Sequence, residues 1–174
     1  AYRWLIKAAE QGHADAQLQT GLLYFLGQGV AQDFKDAAKW YRLAAEQGDK
    51  NAQFLLSNMY SQGQGVPQDD KEAAIWNRLA AEQGLADAQA GLGISYEAGL
   101  GVQQDYKEAL KWYRKAAEQG NAMAQSKLDE VTRKMAEAAL DVDKNSPDKK
   151  DGTHMGFTGL LTDEHSKSNG KSSV

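Results

Sequence analysis

The side chains that could carry catalytic or metal chemistry are few and scattered. His13, His154 and His165 lie far apart in the chain, and there is no cysteine. This spacing gives neither a set of metal ligands nor a nucleophile with an adjacent base. The sequence therefore predicts no catalytic residues, no metal and no cofactor.

Carboxylates are more numerous, but they recur at a fixed interval. Two sets repeat every 36 residues: Asp33, Asp69 and Asp105 in one, and Glu46, Glu82 and Glu118 in the other. A reaction needs one constellation and not several copies, whereas aspartate is a favoured residue at the start of a helix. We interpret these carboxylates as helix caps and surface charges.

Gly-x-Gly-Val segments begin at Gly27, Gly63 and Gly99 and resemble phosphate-binding loops. No Gly-Lys-Ser/Thr sequence follows them, and no strand is predicted before them. Glycine is also favoured where a helix ends in the left-handed region. We therefore predict structural turns with positive φ at these glycines.

The same interval governs the whole chain up to about residue 120. The sequence W-x-x-x-A-A-E-Q-G begins at Trp4, Trp40, Trp76 and Trp112, a period of 36 residues. A fixed period of this length indicates stacked repeats, here pairs of antiparallel helices. The first helix of each unit carries a stripe of small residues, and the second carries the tryptophan. We expect Trp76 to be buried between its own first helix and the next unit.

The predicted organisation follows from this period. Residues 1–12 form the second helix of a truncated unit, 13–48, 49–84 and 85–120 form full units, 121–140 form a single capping helix, 141–153 a linker, and 154–174 a polar tail. The tail contains one apolar island with Phe157, Leu160 and Leu161. The preceding sequence Gly-Thr-His-Met resembles a junction between joined pieces, which leaves three origins for residues 152–174: native sequence, a tag or a fused ligand.

Composition and charge exclude some partners. The formal net charge is −4, and no basic cluster is present, which argues against nucleic acid or an anionic membrane surface. Tyr41 and Tyr113, with Asn77 between them in the repeat series, could stack on a base. Helix packing is the favoured interpretation of these positions.

The repeat units resemble those of a known family. The sequences A-x-A-Q-x-x-x-G-x-x-Y-x-x-G-x-G-V and D-x-x-x-A-x-x-W-x-x-x-A-A-E-Q-G are similar to Sel1-like repeats (SLR), relatives of the tetratricopeptide repeats, over residues 1–128. The resemblance implies a right-handed α-solenoid that acts as a scaffold or adaptor. It leaves the compartment open between a bacterial cytoplasm, the periplasm and secretion. Some members have paired cysteines in each repeat, a feature that this chain lacks.

Binding residues are expected where the units differ. In the related tetratricopeptide units, the corresponding positions of the first helix line the concave surface. The candidate partner-binding residues are Asp15, Leu18, Leu22, Phe25, Leu26, Asn51, Phe54, Asn58, Ser61, Gln62, Asp87, Ala90, Ile94 and Glu97. An exposed apolar strip of this kind marks an interaction site. The alternative is that some of these side chains complete the core.

Two functions remain from the sequence. The favoured one is a scaffold that binds a protein or linear peptide in the groove. The alternative is an enzyme or small-molecule binder, such as a hydrolase acting on cell-wall material. We also expect the island around Phe157, Leu160 and Leu161 to occupy the groove of its own or a neighbouring molecule, so the tail is a candidate for self-association.

Overall fold

The computed structural model describes residues 2–144, with side chains described through residue 141. Within that range the chain consists of helices joined by turns: α1 (Tyr2–Glu10), α2 (Ala14–Leu26), α3 (Phe34–Glu46), α4 (Lys50–Gln62), α5 (Asp70–Glu82), α6 (Ala86–Ala98), α7 (Tyr106–Glu118) and α8 (Ala122–Lys144). The prediction of an all-α solenoid is confirmed. Most of the predicted linker and the whole tail, with Phe157, Leu160 and Leu161, lie outside the described residues.

The helices stack in chain order. The pairs α2–α3, α4–α5 and α6–α7 form three units, which we call units one, two and three. Each second helix also contacts the first helix of the next unit, and α6 contacts α8 directly. Packing between neighbours alone is the arrangement of a quasi-one-dimensional repeat array.

Aspartates begin the second helices, as predicted. The side chains of Asp33, Asp69 and Asp105 each accept hydrogen bonds from the backbone N–H groups two and three residues later, at 2.8–3.1 Å. These bonds satisfy donors that the first turn of a helix leaves without a partner. The periodic carboxylates of this set therefore have a structural role.

Glycines end the first helices and bring the units close together. Gly63 ends α4 with φ of +66° and donates its N–H to the carbonyl of Met59, so the predicted positive φ is confirmed there. Gly65, two residues later, has φ of +69°. A Cβ atom at Gly65 would overlap the carbonyl of Phe34, at the start of the preceding second helix. The turn of one unit therefore packs directly on its neighbour's backbone.

The tryptophans pack towards the preceding unit. Trp112 is 7% exposed and lies in a core cluster with residues of α5 and α6. Trp76 is half-buried against a cluster built mainly from α3 and α4, so the expected burial against the next unit was wrong. Trp4 of α1 is 78% exposed. The two helices that bury Trp112, α5 and α6, have no described counterparts before α1.

Buried glutamines link successive units, a feature that sequence reasoning missed. The Gln53 side chain donates to the carbonyl of Ala45 in the preceding second helix at 3.1 Å, and accepts from Gln83 of its own unit at 2.8 Å. Gln17 and Gln89 repeat this arrangement in the other two units. We call this series the glutamine ladder. The sequence signal for the ladder is that each unit carries one glutamine at the position of the A-x-A-Q motif and another in its A-A-E-Q-G motif.

The last described helix is longer than expected. The sequence predicts a helix over 121–140, and α8 is one continuous helix of 23 residues to Lys144. It packs mainly on α7 and also contacts α6. That it caps the array, and that the unit boundaries are those of independent structural repeats, stay predictions.

Candidate partner-binding groove

The predicted binding residues lie on α2, α4 and α6, and we call their shared surface the first-helix face. They fall into three classes of exposure: Asp15, Leu26, Asn51, Ser61, Gln62 and Asp87 are exposed, Leu18, Leu22, Phe25, Phe54, Asn58 and Ile94 are half-buried, and Ala90 and Glu97 are buried. Most of this face is therefore accessible, and two of its members are not.

The half-buried apolar side chains of this face also contact the core. Leu18 and Phe25 pack on the core cluster of α3 and α4, Phe54 packs on that of α5 to α7, and Ile94 on that of α6 to α8. Each also keeps part of its surface exposed. The expectation that some of these side chains complete the core is confirmed, and their role in a binding groove stays a prediction.

Glu97 is buried because the next two helices surround it. Its carboxylate accepts a hydrogen bond from the Tyr113 hydroxyl at 2.8 Å, and it pairs with Lys134 at 2.5 Å and with Lys127 at 3.4 Å. Both lysines also pair with Glu130. Glu97 thus joins α6 to α7 and α8, and this ion cluster explains its burial without a partner molecule.

The ion cluster shifts the titration of its members. Burial alone would raise the pKa of Glu97, but hydrogen bonds from Lys134 and Tyr113 and the charge of Lys127 lower it below its ordinary value. Burial and the bond to Glu97 raise the pKa of the Tyr113 hydroxyl. Bonds from the two lysines lower the pKa of Glu130 to about 2. The cluster therefore stays charged at neutral pH, as a structural link requires.

The same position in unit one is filled by aromatic rings. Phe25, from the end of α2, meets Phe34 of α3 edge-on, with ring centroids 5.2 Å apart, and lies 6.5 Å from the ring of Tyr41. Tyr41 is 1% exposed, and burial raises its pKa to about 12. Its ring fits because residue 21 is glycine, where a Cβ atom would lie 2.6 Å from a ring carbon. Tyr113 is likewise buried, so the packing role of both tyrosines is confirmed.

In unit two, the corresponding position is an open pocket of about 200 Å³ between α4, α5 and α6, lined by both polar and apolar side chains. Ser61, Asp70 and Asn77 stand where unit one has Phe25, Phe34 and Tyr41. The pocket is lined by Ser57, Asn58, Ser61, Asp70, Ala73, Asn77, Gly91, Ile94, Ser95 and Leu100. It therefore includes three predicted groove residues and several that sequence reasoning missed. We call it the unit-two pocket.

Asn77 is the least satisfied polar group in this pocket. Asn77 is only 6% exposed, and its Oδ1 atom is buried without a hydrogen-bond partner among the described residues. Leaving such an acceptor unsatisfied costs about 1–3 kcal/mol of folding free energy. The sequence signal was present, since asparagine replaces a tyrosine of the other two units.

A second cavity lies away from the first-helix face. About 450 Å³ in volume, it is lined by Ile75 and Leu79 of α5 together with Gly101 and Val102 of the next turn. Ile75 is 54% exposed, whereas the matching positions of the other units carry Lys39 and Lys111. Sequence reasoning missed this patch because it looked for binding residues only on the first helices.

The described residues contain no cluster of histidine, cysteine, aspartate and glutamate able to hold a metal ion. Over the same range, no helix combines the length and apolar character needed to cross a membrane. The ionisable side chains that do cluster, around Glu97, are those that join α8 to α6 and α7.

Stacked helix pairs with a partly exposed face on their first helices define an α-solenoid repeat protein. The family model for the Sel1 repeat matches residues 1–13, 14–49, 50–85 and 86–121. The chain belongs to the Sel1 repeat family. Proteins of this family are generally protein-interaction scaffolds, and the fold is typically non-enzymatic.

Solved structures show the same fold. A protective antigen present in uropathogenic Escherichia coli strains, with an SLR fold, is 45% identical to the chain with a TM-score of 0.70, covering 72% of this chain and 27% of the antigen. A Sel1 repeat protein from Oxalobacter formigenes is 40% identical with a TM-score of 0.71, covering 74% of this chain and 53% of the relative. Cysteine-rich protein B of Helicobacter pylori is 25% identical with a TM-score of 0.56, covering 71% and 89%. No curated protein matched the chain.

The chain thus spans about a quarter of the antigen and about half of the Oxalobacter protein.

Proposed function

We propose that this chain is a scaffold module that binds an extended peptide, or an extended segment of a protein, across its first-helix face. The observation that carries the proposal is the strip of accessible apolar side chains at positions that vary between units. Leu26 is 49% exposed, and Leu22 and Phe54 are half-buried. Covering apolar surface of this kind with a partner lowers the free energy of the system.

The mixed composition of the face suits an extended segment of polypeptide. Asn51, Asn58 and Gln62 lie among the apolar positions. Their carboxamides supply both donors and acceptors for a peptide backbone, while the apolar strip takes its side chains.

The test compares two leucines of similar exposure on different surfaces. A displayed library of twelve-residue peptides is selected against the full chain, and the dissociation constant of a selected peptide is measured by fluorescence anisotropy. Leu26→Asp, on the first-helix face, is expected to weaken binding about tenfold or more, because a charge cannot be buried against an apolar side chain without a penalty. Leu79→Asp, on α5 and 40% exposed, is the matched control and is expected to bind normally.

The reverse pattern would overturn the proposal. If Leu79→Asp abolishes binding while Leu26→Asp does not, the cavity beside Ile75 and Leu79 is the docking surface. Melting temperatures of both variants show whether either change acts through unfolding.

We also propose that the tail competes for the same face. A tethered segment has an effective concentration near the millimolar range, enough to hold a weak ligand in place. The double change Phe157→Asp and Leu160→Asp is then expected to strengthen binding of the selected peptide, because it removes the internal competitor. Equal affinity for the chain with and without the double change would refute the competition and leave the proposed groove standing.

A further inference from the structure

One interior position is filled differently in each of the three units. In unit one it holds the rings of Phe25, Phe34 and Tyr41, and in unit three it holds the ion cluster around Glu97. In unit two it is the open unit-two pocket of about 200 Å³. A water molecule takes about 30 Å³ of liquid volume, so the pocket has room for the atoms of a long side chain.

Unit three shows how the chain itself supplies cations at this position. Lys127 and Lys134 extend from α8 to the carboxylate of Glu97. One repeat earlier, the residues that match these lysines are Gly91 and Ala98, and Gly91 lines the unit-two pocket. The chain therefore brings no ammonium group from these positions to unit two.

The walls of the unit-two pocket offer acceptors. Asn77 also lines the pocket, but its Oδ1 atom is buried from solvent, so the acceptors that an occupant can reach are those of other residues. Asp70 is the only charged residue in the lining, and it forms no salt bridge with a described residue. Ser57, Ser61 and Ser95 add hydroxyl groups, each with acceptor lone pairs. An occupant that donates several hydrogen bonds and carries a positive charge would complement all of these groups.

We propose that the unit-two pocket receives the basic side chain, lysine or arginine, of the peptide bound on the first-helix face. The proposal rests on the function proposed above, because Asn58, Ser61 and Ile94 belong both to that face and to the pocket. A lysine ammonium carries three donors and an arginine guanidinium five, which matches the Asp70 carboxylate and several serine hydroxyls. The pocket thus selects a basic residue of the ligand, while the apolar strip binds its neighbours.

The pocket is tested first with small probes that need no peptide. Nα-acetyl-lysine methylamide is titrated into the ¹⁵N-labelled full chain, and the amide signals of Asn58, Ser61, Asn77 and Ser95 are followed by NMR. The neutral control is Nα-acetyl-norleucine methylamide, which has the same aliphatic stem without the ammonium. The lysine probe is expected to shift these signals saturably and the norleucine probe to leave them in place.

Two variants test the residues. Asp70→Asn removes the charge, and the double change Ser57→Gly with Asn77→Tyr fills the pocket in the manner of units one and three. Each is expected to weaken binding of the lysine probe about tenfold or more, since charged hydrogen bonds are the strong ones. Equal shifts with the norleucine probe, or unchanged affinity in Asp70→Asn with the fold intact, would overturn the proposal.

A last measurement separates the pocket from the groove. Replacing the basic residue of the selected peptide by norleucine is expected to weaken its binding about tenfold to the natural chain and hardly at all to Asp70→Asn. If a selected peptide binds the pocket-filled double variant as tightly as the natural chain, the pocket proposal fails and the groove stands. If the lysine probe binds but no peptide does, the groove proposal fails, and with it the assignment of the pocket's occupant to a bound peptide, while the specificity of the pocket for a basic group stands.

Discussion

The unit-two pocket predicts an unusual stability effect for residues 57 and 77. In units one and three, a glycine of the first helix faces a tyrosine of the second, Gly21 with Tyr41 in unit one. In unit two the same pair is Ser57 and Asn77. Neither change alone reproduces the glycine–tyrosine pair of the other units, whereas both together do. We therefore expect strong coupling between the two substitutions.

The magnitudes follow from the space available. Asn77→Tyr alone forces a ring against the Ser57 side chain, and such overpacking costs about 1–3 kcal/mol. Ser57→Gly alone costs about 0.5–1 kcal/mol, because glycine is unfavourable within a helix. An enclosed cavity of about 200 Å³ corresponds to about 5 kcal/mol at about 24 cal/mol per Å³. This pocket is open to solvent on one side, so we expect the double variant to gain only about 1–2 kcal/mol over the natural chain.

The assay is urea denaturation of the four proteins of the cycle, followed by circular dichroism. The single costs and the gain of the double variant add up to a coupling energy of about 2.5–6 kcal/mol, at or above the upper end of what residues in contact show. Additive changes within about 0.5 kcal/mol would refute the reasoning. A double variant less stable than the natural chain would show that the pocket cannot accept the ring.

Three further predictions concern the joints between units. Gly65→Ala is expected to lower the free energy of unfolding by about 1–3 kcal/mol more than Gly48→Ala. Both glycines have positive φ, but only a side chain at residue 65 would overlap a neighbour's backbone. Equal losses in urea denaturation would contradict the close approach. Glu97→Gln is expected to cost about 1.5–3 kcal/mol near pH 7. The folded-state pKa of this carboxyl is lowered. The loss in free energy of unfolding caused by Glu97→Gln should therefore be constant above the ordinary pKa of about 4.3 and shrink as the pH falls through the lower folded value. A loss that does not change with pH would contradict this prediction. Trp112→Ala is expected to cost about 3–5 kcal/mol and Trp4→Ala less than about 0.5 kcal/mol, and similar losses in thermal melts would show that burial does not distinguish them.

Local features were predictable from the sequence because they depend on near neighbours in the chain. The period of 36 residues placed each helix pair, and Asp69 and Gly63 marked a helix start and end that the structure confirms. A cap needs only the residues of the first turn, and a left-handed turn needs only a glycine. Neither depends on what lies across the interface.

The properties of the face were less predictable, because each depends on residues from other units. Glu97 has the spacing of an exposed position, yet two lysines from α8 reach it and bury it. Those lysines lie where the chain departs from the repeat consensus, so the 36-residue period does not predict their contact with Glu97. Trp76 was placed against the wrong neighbour for a related reason, since a period does not say on which side a side chain packs.

The unit-two pocket is an intermediate case. Each of its three substitutions, Ser61, Asp70 and Asn77, can be read by comparing the units. Sequence alone treats them as three separate polar residues. Only the fold brings the end of one helix and two turns of the next to a single point, where small polar side chains leave space that aromatic rings fill elsewhere.

The glutamine ladder has a consequence for how such a chain can change in length. Gln53 and Gln89 occupy equivalent places, so removal of 49–84 would bring Gln89 to the carbonyl of Ala45 that Gln53 now uses. Arg42 would likewise meet the hydroxyl of Tyr96 in place of Tyr60. These hydrogen bonds would form again between equivalent residues, and the unit-two pocket would be lost. We therefore expect that a unit of this kind can be gained or lost without changing the hydrogen bonds that join its neighbours.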